Sequence, residues 1–190
     1  MDDCRHDWTL KELSELYHQP ILDLVFQSAS IHRQNFEANK IQVSSLISVK
    51  TGGCSEDCSY CPQSARNQTD LMRTNMMELE TVIALAEKAK ATGSSRICIG
   101  AAWREVKDNE GFDQVIKMVS TITAMDMEVC CTLGMLTEEQ ANKLADAGLF
   151  AYNHNVDTSK DFYEKIITTR SYEDRLRTLD NVRKAKISVC

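Results

Sequence analysis

The sequence predicts an α/β protein, an incomplete (β/α) barrel of the TIM type with about five strand–helix units behind an N-terminal helical extension. Three observations predict it. From Gln42 onward, segments with strand-like alternation take turns with segments of helical period. Their order, β-α-β-α-β-α-β-α-β, is that of a parallel sheet joined by crossover helices. One face of the strands also carries polar or thiol side chains repeatedly. A sheet coated by helices on both sides is apolar throughout, whereas the inner wall of a barrel can line a chamber.

The extension comes first. Thr9 as N-cap and Glu12 three residues later predict a short helix over 9–18 with a capping box. Pro20 suits the first turn of a second helix reaching about Asn35, with Ile21, Leu24, Val25, Ser28 and Ile31 as its buried stripe. The first strand places Val43, Ile47 and Val49 on one face, with Ser44, Leu46, Ser48 and Lys50 on the other, and Thr51-Gly52-Gly53 ends it. Helices are then expected over 78–91, 113–125, 137–147 and 171–185. Strands are expected over 95–100, 128–133, 151–156 and 187–190. Two prolines and no low-complexity stretch leave no obvious linker, so the division is 1–38 for the helical extension and 39–190 for the partial barrel. A complete eight-unit barrel needs roughly 250 residues, more than this chain has.

The strand faces sharpen the picture. Cys98 shares a face with Arg96 and Gly100, and Cys130 with Thr132 and Gly134. Asn153, Asn155 and Asp157 align on the fourth strand, and Ser188 and Cys190 on the fifth. Cys131 falls on the opposite, helix-facing side as a small apolar residue, and His154 does so as a packed core residue. The asparagine row is either an inward polar wall or a solvated strand end. Arg175 is either an anion partner or a surface charge, and Trp103 either covers a substrate or packs in the core.

Composition excludes several classes. The chain is 43% hydrophobic and 26% charged with a formal net charge of −6, and no stretch gathers a basic stripe for nucleic acid. Met1-Asp2-Asp3-Cys4 lacks the features of a signal or transit peptide, and no apolar run approaches the ~18 residues of a membrane span. The expectation is a cytoplasmic protein. Eight cysteines in a reducing compartment point to metal or catalysis rather than disulfides. Cys4 stands in the tail.

Cys54-Ser-Glu-Asp-Cys58-Ser-Tyr-Cys61 concentrates the chemistry. Three thiolates within eight residues can close on one metal centre from a loop that Gly52-Gly53 allows to wrap. A structural zinc site wants a fourth Cys or His at suitable spacing, and none is near. Cys58-Ser-Tyr-Cys61 alone could be a redox pair, but the third cysteine and the position after the first strand argue against it. A cubane iron–sulfur cluster ordinarily takes four thiolates, so three leave one iron open to a small molecule.

C-x₃-C-x₂-C with an aromatic residue before the last cysteine, following the first strand of a β/α series, resembles the signature of the radical S-adenosylmethionine enzymes. Within them the chain is most similar to the biotin synthase family. The resemblance rests on Ser45-Leu-Ile-Ser-Val-Lys-Thr-Gly-Gly-Cys54 and Cys61-Pro-Gln-Ser-Ala-Arg66. Gly100-Ala-Ala-Trp103, Cys131-Thr-Leu-Gly134, Tyr152-Asn-His-Asn-Val-Asp-Thr158 and Ile166-Ile-Thr-Thr-Arg170 carry it further. Trp8-Thr-Leu10 and Ile31-His-Arg33 fit as well, so the match spans essentially the whole chain in order.

The resemblance implies a radical S-adenosylmethionine barrel in which Cys54, Cys58 and Cys61 hold a [4Fe–4S] cluster. The methionyl amine and carboxylate of S-adenosylmethionine chelate its open iron. One electron splits the sulfonium to a 5′-deoxyadenosyl radical, which takes hydrogen from dethiobiotin. A [2Fe–2S] cluster inside the barrel donates the sulfur that closes the ring of biotin. It is held by three strand cysteines, here Cys98, Cys130 and Cys190, and by an arginine from a later strand. Asn153 and Asn155 are implied to contact the ureido group or S-adenosylmethionine, Asp157 its ribose and Arg175 its methionyl carboxylate, while Trp103 covers the substrate. No catalytic side chain beyond the cluster ligands is implied. The implied partners are dethiobiotin, an electron donor such as flavodoxin or ferredoxin, and a second subunit at full length, with no nucleic acid and no membrane.

The sequence stops at Cys190 in the fifth strand, before the strand expected to bring the arginine ligand. An unclosed barrel is therefore expected. An enzyme represented by its N-terminal part, a non-catalytic remnant that binds a cluster or S-adenosylmethionine, and another radical S-adenosylmethionine enzyme all remain open.

Overall fold

The computed structural model describes Arg5 and Asp7–Cys190, so the tail thiol Cys4 lies outside the described residues. The chain divides into two compact units, Met1–Ile41 and Gln42–Cys190.

The first unit contains α1 (Leu10–Tyr17) and α2 (Ile21–Asn35). The capping box forms as the spacing predicts: Thr9 Oγ1 accepts from the Glu12 N–H, and the Glu12 carboxylate accepts from the Thr9 N–H at 2.9 Å. The expected buried stripe of α2 does not form. No residue of α2 is buried, and Ile21, Val25 and Ile31 are exposed. Two helices joined by a short link supply no third element to cover an apolar face, so period alone could not bury it.

The second unit is a parallel sheet ordered β1-β2-β3-β4-β5, with every neighbouring pair parallel and no closure between β5 and β1. Its strands are β1 (Ser44–Lys50), β2 (Arg96–Ala101), β3 (Glu128–Thr132), β4 (Ala151–Tyr152) and β5 (Ser188–Val189). The crossovers are α3 (Leu79–Ala91), α4 (Glu110–Thr123), α5 (Glu138–Asp146) and α6 (Tyr172–Lys184), with a 3₁₀ turn at Lys160–Lys165 before α6. Thr137 with Gln140 and Ser171 with Asp174 close capping boxes on α5 and α6.

Two boundaries shift for identifiable reasons. Helix α4 starts at Glu110 rather than Asp113 because the Asn109 side chain accepts from the Phe112 N–H and caps it there. Strand β4 was expected to reach Val156 but ends at Tyr152. After Asn153 the chain leaves the ladder, and Asp157 adopts a left-handed φ of 66°.

One face of this sheet is the core. Ile97, Ile99, Val129, Cys131, Leu133, Tyr152 and Ile187 point into it and meet Val82 of α3, Phe112, Val115 and Met118 of α4, Leu144 of α5 and Val182 of α6. Each such aliphatic or aromatic side chain contributes roughly 1.5–3 kcal/mol by leaving water. Cys131 is fully buried there, on the helix-facing side as its alternation predicts. The other face carries Leu46, Cys98 and Cys130 and takes no part in that cluster. Among the described residues, no helix is long and apolar enough to cross a membrane.

Candidate active site

The site lies past the C-terminal ends of the strands, where the functional loops of β/α folds gather. Strand β1 runs into Gly52 and Gly53, both at φ 72°. A Cβ on Gly52 would meet the Arg73 side chain at 3.0 Å, so both backbone sign and space require glycine there. The chain then folds back on itself: the Cys54 N–H donates to the Gln63 carbonyl at 2.9 Å, and the Ala65 N–H donates to the Cys54 carbonyl at 2.7 Å. The Asn67 amide donates to both the Cys58 and Cys61 carbonyls at 2.9 Å. These bonds fix the three cysteines without using their sulfurs.

The cysteine loop is also pinned from across the chain. The Ser59 N–H donates to the Ile166 carbonyl at 3.0 Å, and the Asp57 carboxylate accepts from the backbone N–H groups of Thr168 and Thr169 at 2.9 and 3.2 Å. Burial alone would raise the Asp57 carboxyl, but the Thr168 hydroxyl and these N–H groups, with the Thr169 hydroxyl, outweigh it and hold it well below the carboxylate range.

Cys54, Cys58 and Cys61 line one cavity of about 260 Å³ together with Trp103, Asn153, Asn155, Asp157 and Arg175. Every residue expected to meet S-adenosylmethionine or the substrate is therefore gathered around the three thiols. Cys54 and Cys58 are buried, and burial raises both thiols above the ordinary cysteine value while Arg170 opposes the rise. Among the described residues no three His, Cys, Asp or Glu side chains cluster about a single ion position. Three thiols on one cavity are the donor type that iron–sulfur clusters take.

Asp157 and Arg175 face each other rather than standing free. Arg175 Nη2 donates to Asp157 Oδ2, Arg175 Nε donates to the Tyr163 hydroxyl at 3.0 Å, and both side chains of the pair are 6% exposed. Tyr60 stands beside them: lost hydration and the neighbouring Asp157 carboxylate raise its phenol above the usual tyrosine value. Trp103 walls the cavity and also packs against the core.

The loop carrying Trp103 is held by Gly134. At φ 86°, a Cβ on Gly134 would lie 2.4 Å from the Arg104 carbonyl oxygen. The Met135 N–H donates to that carbonyl at 3.0 Å, and the buried Tyr152 hydroxyl donates to the Gly134 carbonyl at 2.6 Å. Loops after β2 and β3 thus meet backbone to backbone.

His154 corrects an expectation. Alternation placed it among the helices, but it lines the cavity, buried, with Nε2 lacking a hydrogen-bond partner among the described residues. Strand β4 ends before it, so period-2 alternation no longer governs its direction. Burial, then the Arg175 and Arg170 charges, lowers it to about 3, and it stays neutral.

The strand thiols form a second group. Cys98 and Cys130 are register partners on β2 and β3, and the Cys190 N–H donates to the Tyr152 carbonyl at 3.0 Å. Burial and the neighbouring Cys98 and Cys190 thiols push Cys130 up to about 12. Cys190 opens on an adjoining cavity that shares Tyr60, His154, Asn155 and Asp157 with the first.

Sequence reading passed over Glu56 and Arg170. Glu56 is a charged side chain buried to 3% exposure inside the cysteine motif. It is engaged by Arg104 Nε at 3.1 Å, by Arg170 Nε at 3.6 Å and by the Thr169 hydroxyl. Only the position of Glu56 between two cysteines of the motif, and of Arg170 at the end of Ile166-Ile-Thr-Thr-Arg170, could have drawn attention to them.

The fold and the thiol loop define a class. The sequence model of the Radical SAM superfamily matches residues 48–190, and the chain belongs to that superfamily. Membership implies an iron–sulfur cluster and S-adenosylmethionine. The fold agrees: the chain superposes on the [FeFe]-hydrogenase maturase HydG with a TM-score of 0.75 at 21% identity, over 96% of this chain and 42% of that one. It superposes on methylornithine synthase (PylB) with a TM-score of 0.74 at 16% identity, over 95% of this chain and 54% of that one.

Among sequence relatives, the chain is 58% identical over its full length to the biotin synthase of Cytophaga hutchinsonii, of which it covers 56%. It is 58% identical to the biotin synthase of Nostoc punctiforme over 98% of this chain and 56% of that protein. The biotin synthase of Myxococcus xanthus is 56% identical over 99% of this chain and 54% of that protein. The chain thus spans about half the length of the curated relatives it matches.

Proposed function

We propose that this chain serves the sulfur insertion that converts dethiobiotin to biotin, the activity its relatives' name denotes. The observation that carries the reading is the pairing of two thiol groups: Cys54, Cys58 and Cys61 on one cavity, and Cys98, Cys130 and Cys190 drawn together on the sheet face that takes no part in the helix-packed core. In this reading the first group holds a [4Fe–4S] cluster and the second holds a [2Fe–2S] cluster. When bound, these groups supply one-electron cleavage of S-adenosylmethionine and the sulfur atom.

The chain's own residues do the rest. Each cysteine gives up its proton on ligation, and the Arg170 charge next to Cys58 favours the thiolate. Arg175 receives the methionyl carboxylate, where a guanidinium fork suits a carboxylate, and Asp157 both orients that fork and accepts from the ribose. Asn153 and Asn155 offer paired donor and acceptor groups to the ureido ring, and Trp103 closes the cavity wall against water. His154, neutral and buried, adds no charge there.

The same reading assigns 1–38 to a helical extension and 39–190 to part of the barrel. It calls for a one-electron donor such as flavodoxin or ferredoxin, and for a homodimer in the cytoplasm at full length. Anaerobic loading with iron and sulfide, followed by assay of 5′-deoxyadenosine and of biotin from dethiobiotin, tests it. Deoxyadenosine release supports the reading, and its absence from a fully loaded sample overturns it for this chain.

A further inference from the structure

Arg170 presents an imbalance that the binding roles above leave unexplained. Its side chain is 7% exposed, yet Nε and Nη1 are buried without a hydrogen-bond partner among the described residues. A buried charged donor left unpaired is costly, so such a group persists where something else meets it. The nearest acid does not suffice. Glu56 stands 3.6 Å from Arg170 Nε, beyond a hydrogen bond, and already receives Arg104 at 3.1 Å and the Thr169 hydroxyl. The remaining amine, Nη2, is 3.9 Å from Cys58 Sγ, and Arg170 lines the cavity that the three loop thiols share. The backbone holds it there, since Asp57 accepts from Thr168 and Thr169 immediately before it.

We propose that Arg170 sets the reduction potential of the cluster on the cysteine loop, its orphaned N–H groups donating to the sulfur shell that Cys58 anchors. Hydrogen bonds and positive charge at cluster sulfurs stabilise the reduced, more negative state, and so raise the potential. Glu56 works against it, as a buried carboxylate that offsets part of the arginine's charge. The two residues form an adjustable pair beside the ligands. This inference rests on the [4Fe–4S] reading of Cys54, Cys58 and Cys61.

The test is an anaerobic redox titration of the reconstituted 190-residue chain, followed by electron paramagnetic resonance of the reduced cluster. R170M is expected to shift the midpoint to more negative potential, R170K to shift it less in the same direction, and E56Q to shift it the opposite way. Ultraviolet–visible absorption reports cluster loading separately. A purely structural role would lower loading and leave the midpoint of the loaded fraction where the wild type has it, which would overturn the proposal. If R170M fails to load, R170K and E56Q decide by the same criterion. A wild-type chain that takes up no cluster overturns the underlying reading as well, whereas unmoved midpoints in loaded variants overturn only the role of Arg170.

Discussion

Cys98 on β2 stands directly opposite Cys130 on β3 in the parallel register, on the sheet face that takes no part in the helix-packed core. Their neighbour Cys131 points the other way into the core. Two adjacent cysteines of one strand therefore have opposite fates, decided by the pleat.

That contrast gives the first prediction. On the proposed two-cluster reading, Cys98→Ala and Cys130→Ala should each abolish the [2Fe–2S] absorption of the reconstituted chain while leaving the [4Fe–4S] band. Cys131→Ala should keep both bands and cost about 1 kcal/mol of stability, from the small cavity it leaves. Equal spectra for all three variants would refute the assignment.

The buried ion pair gives the second. Removing one partner of a buried pair leaves an uncompensated charge, so Arg175→Met should destabilise the chain by about 3 kcal/mol. Adding Asp157→Asn should recover a good part of that loss. Urea titration of the wild type and of the single and double variants measures the coupling.

Gly134 gives the third. A methyl there would strike the Arg104 carbonyl and force a left-handed backbone on alanine, so Gly134→Ala should cost about 2 kcal/mol or more. For a chain of this size the melting temperature should fall by roughly 4–8 °C. An unchanged melting curve would mean that the β2 and β3 loops do not meet this closely.

His154 sets a pH dependence. Its folded value, about 3, lies below the ordinary 6.5, so below 6.5 the unfolded chain takes a proton that the folded chain refuses. Stability is intact above that value and falls as pH drops, by roughly 1.4 kcal/mol per unit until the folded value is reached. His154→Gln should flatten this part of the stability–pH curve between pH values of about 6 and 4. Parallel slopes for wild type and variant would exclude a buried neutral imidazole.

The last prediction concerns the helix that carries Arg175. Ser171 caps α6 by accepting from the Asp174 N–H at 3.1 Å, so Ser171→Ala should cost about 1 kcal/mol. Hydrogen exchange should localise the loss to the first turn of α6.

Much of this was legible in the residues themselves. Capping pairs such as Thr9–Glu12 and Thr137–Gln140 are local, so spacing alone set those helix starts. Alternation separated Cys130 from Cys131 because both lie within a true strand. The same rule failed at His154, where the strand had already ended, and helical period failed at α2, where the two-helix unit buries no residue of the stripe.

What the sequence determined by itself was the thiol motif, the β/α order and the inward row of cysteines, because each depends on short-range spacing or period. The tertiary structure alone decided which charges meet. Glu56 and Arg170 lie 114 positions apart, Asp157 and Arg175 18 apart, and no local pattern signals either pairing. Such contacts depend on where crossover helices return the chain, and that is fixed by packing of the whole sheet.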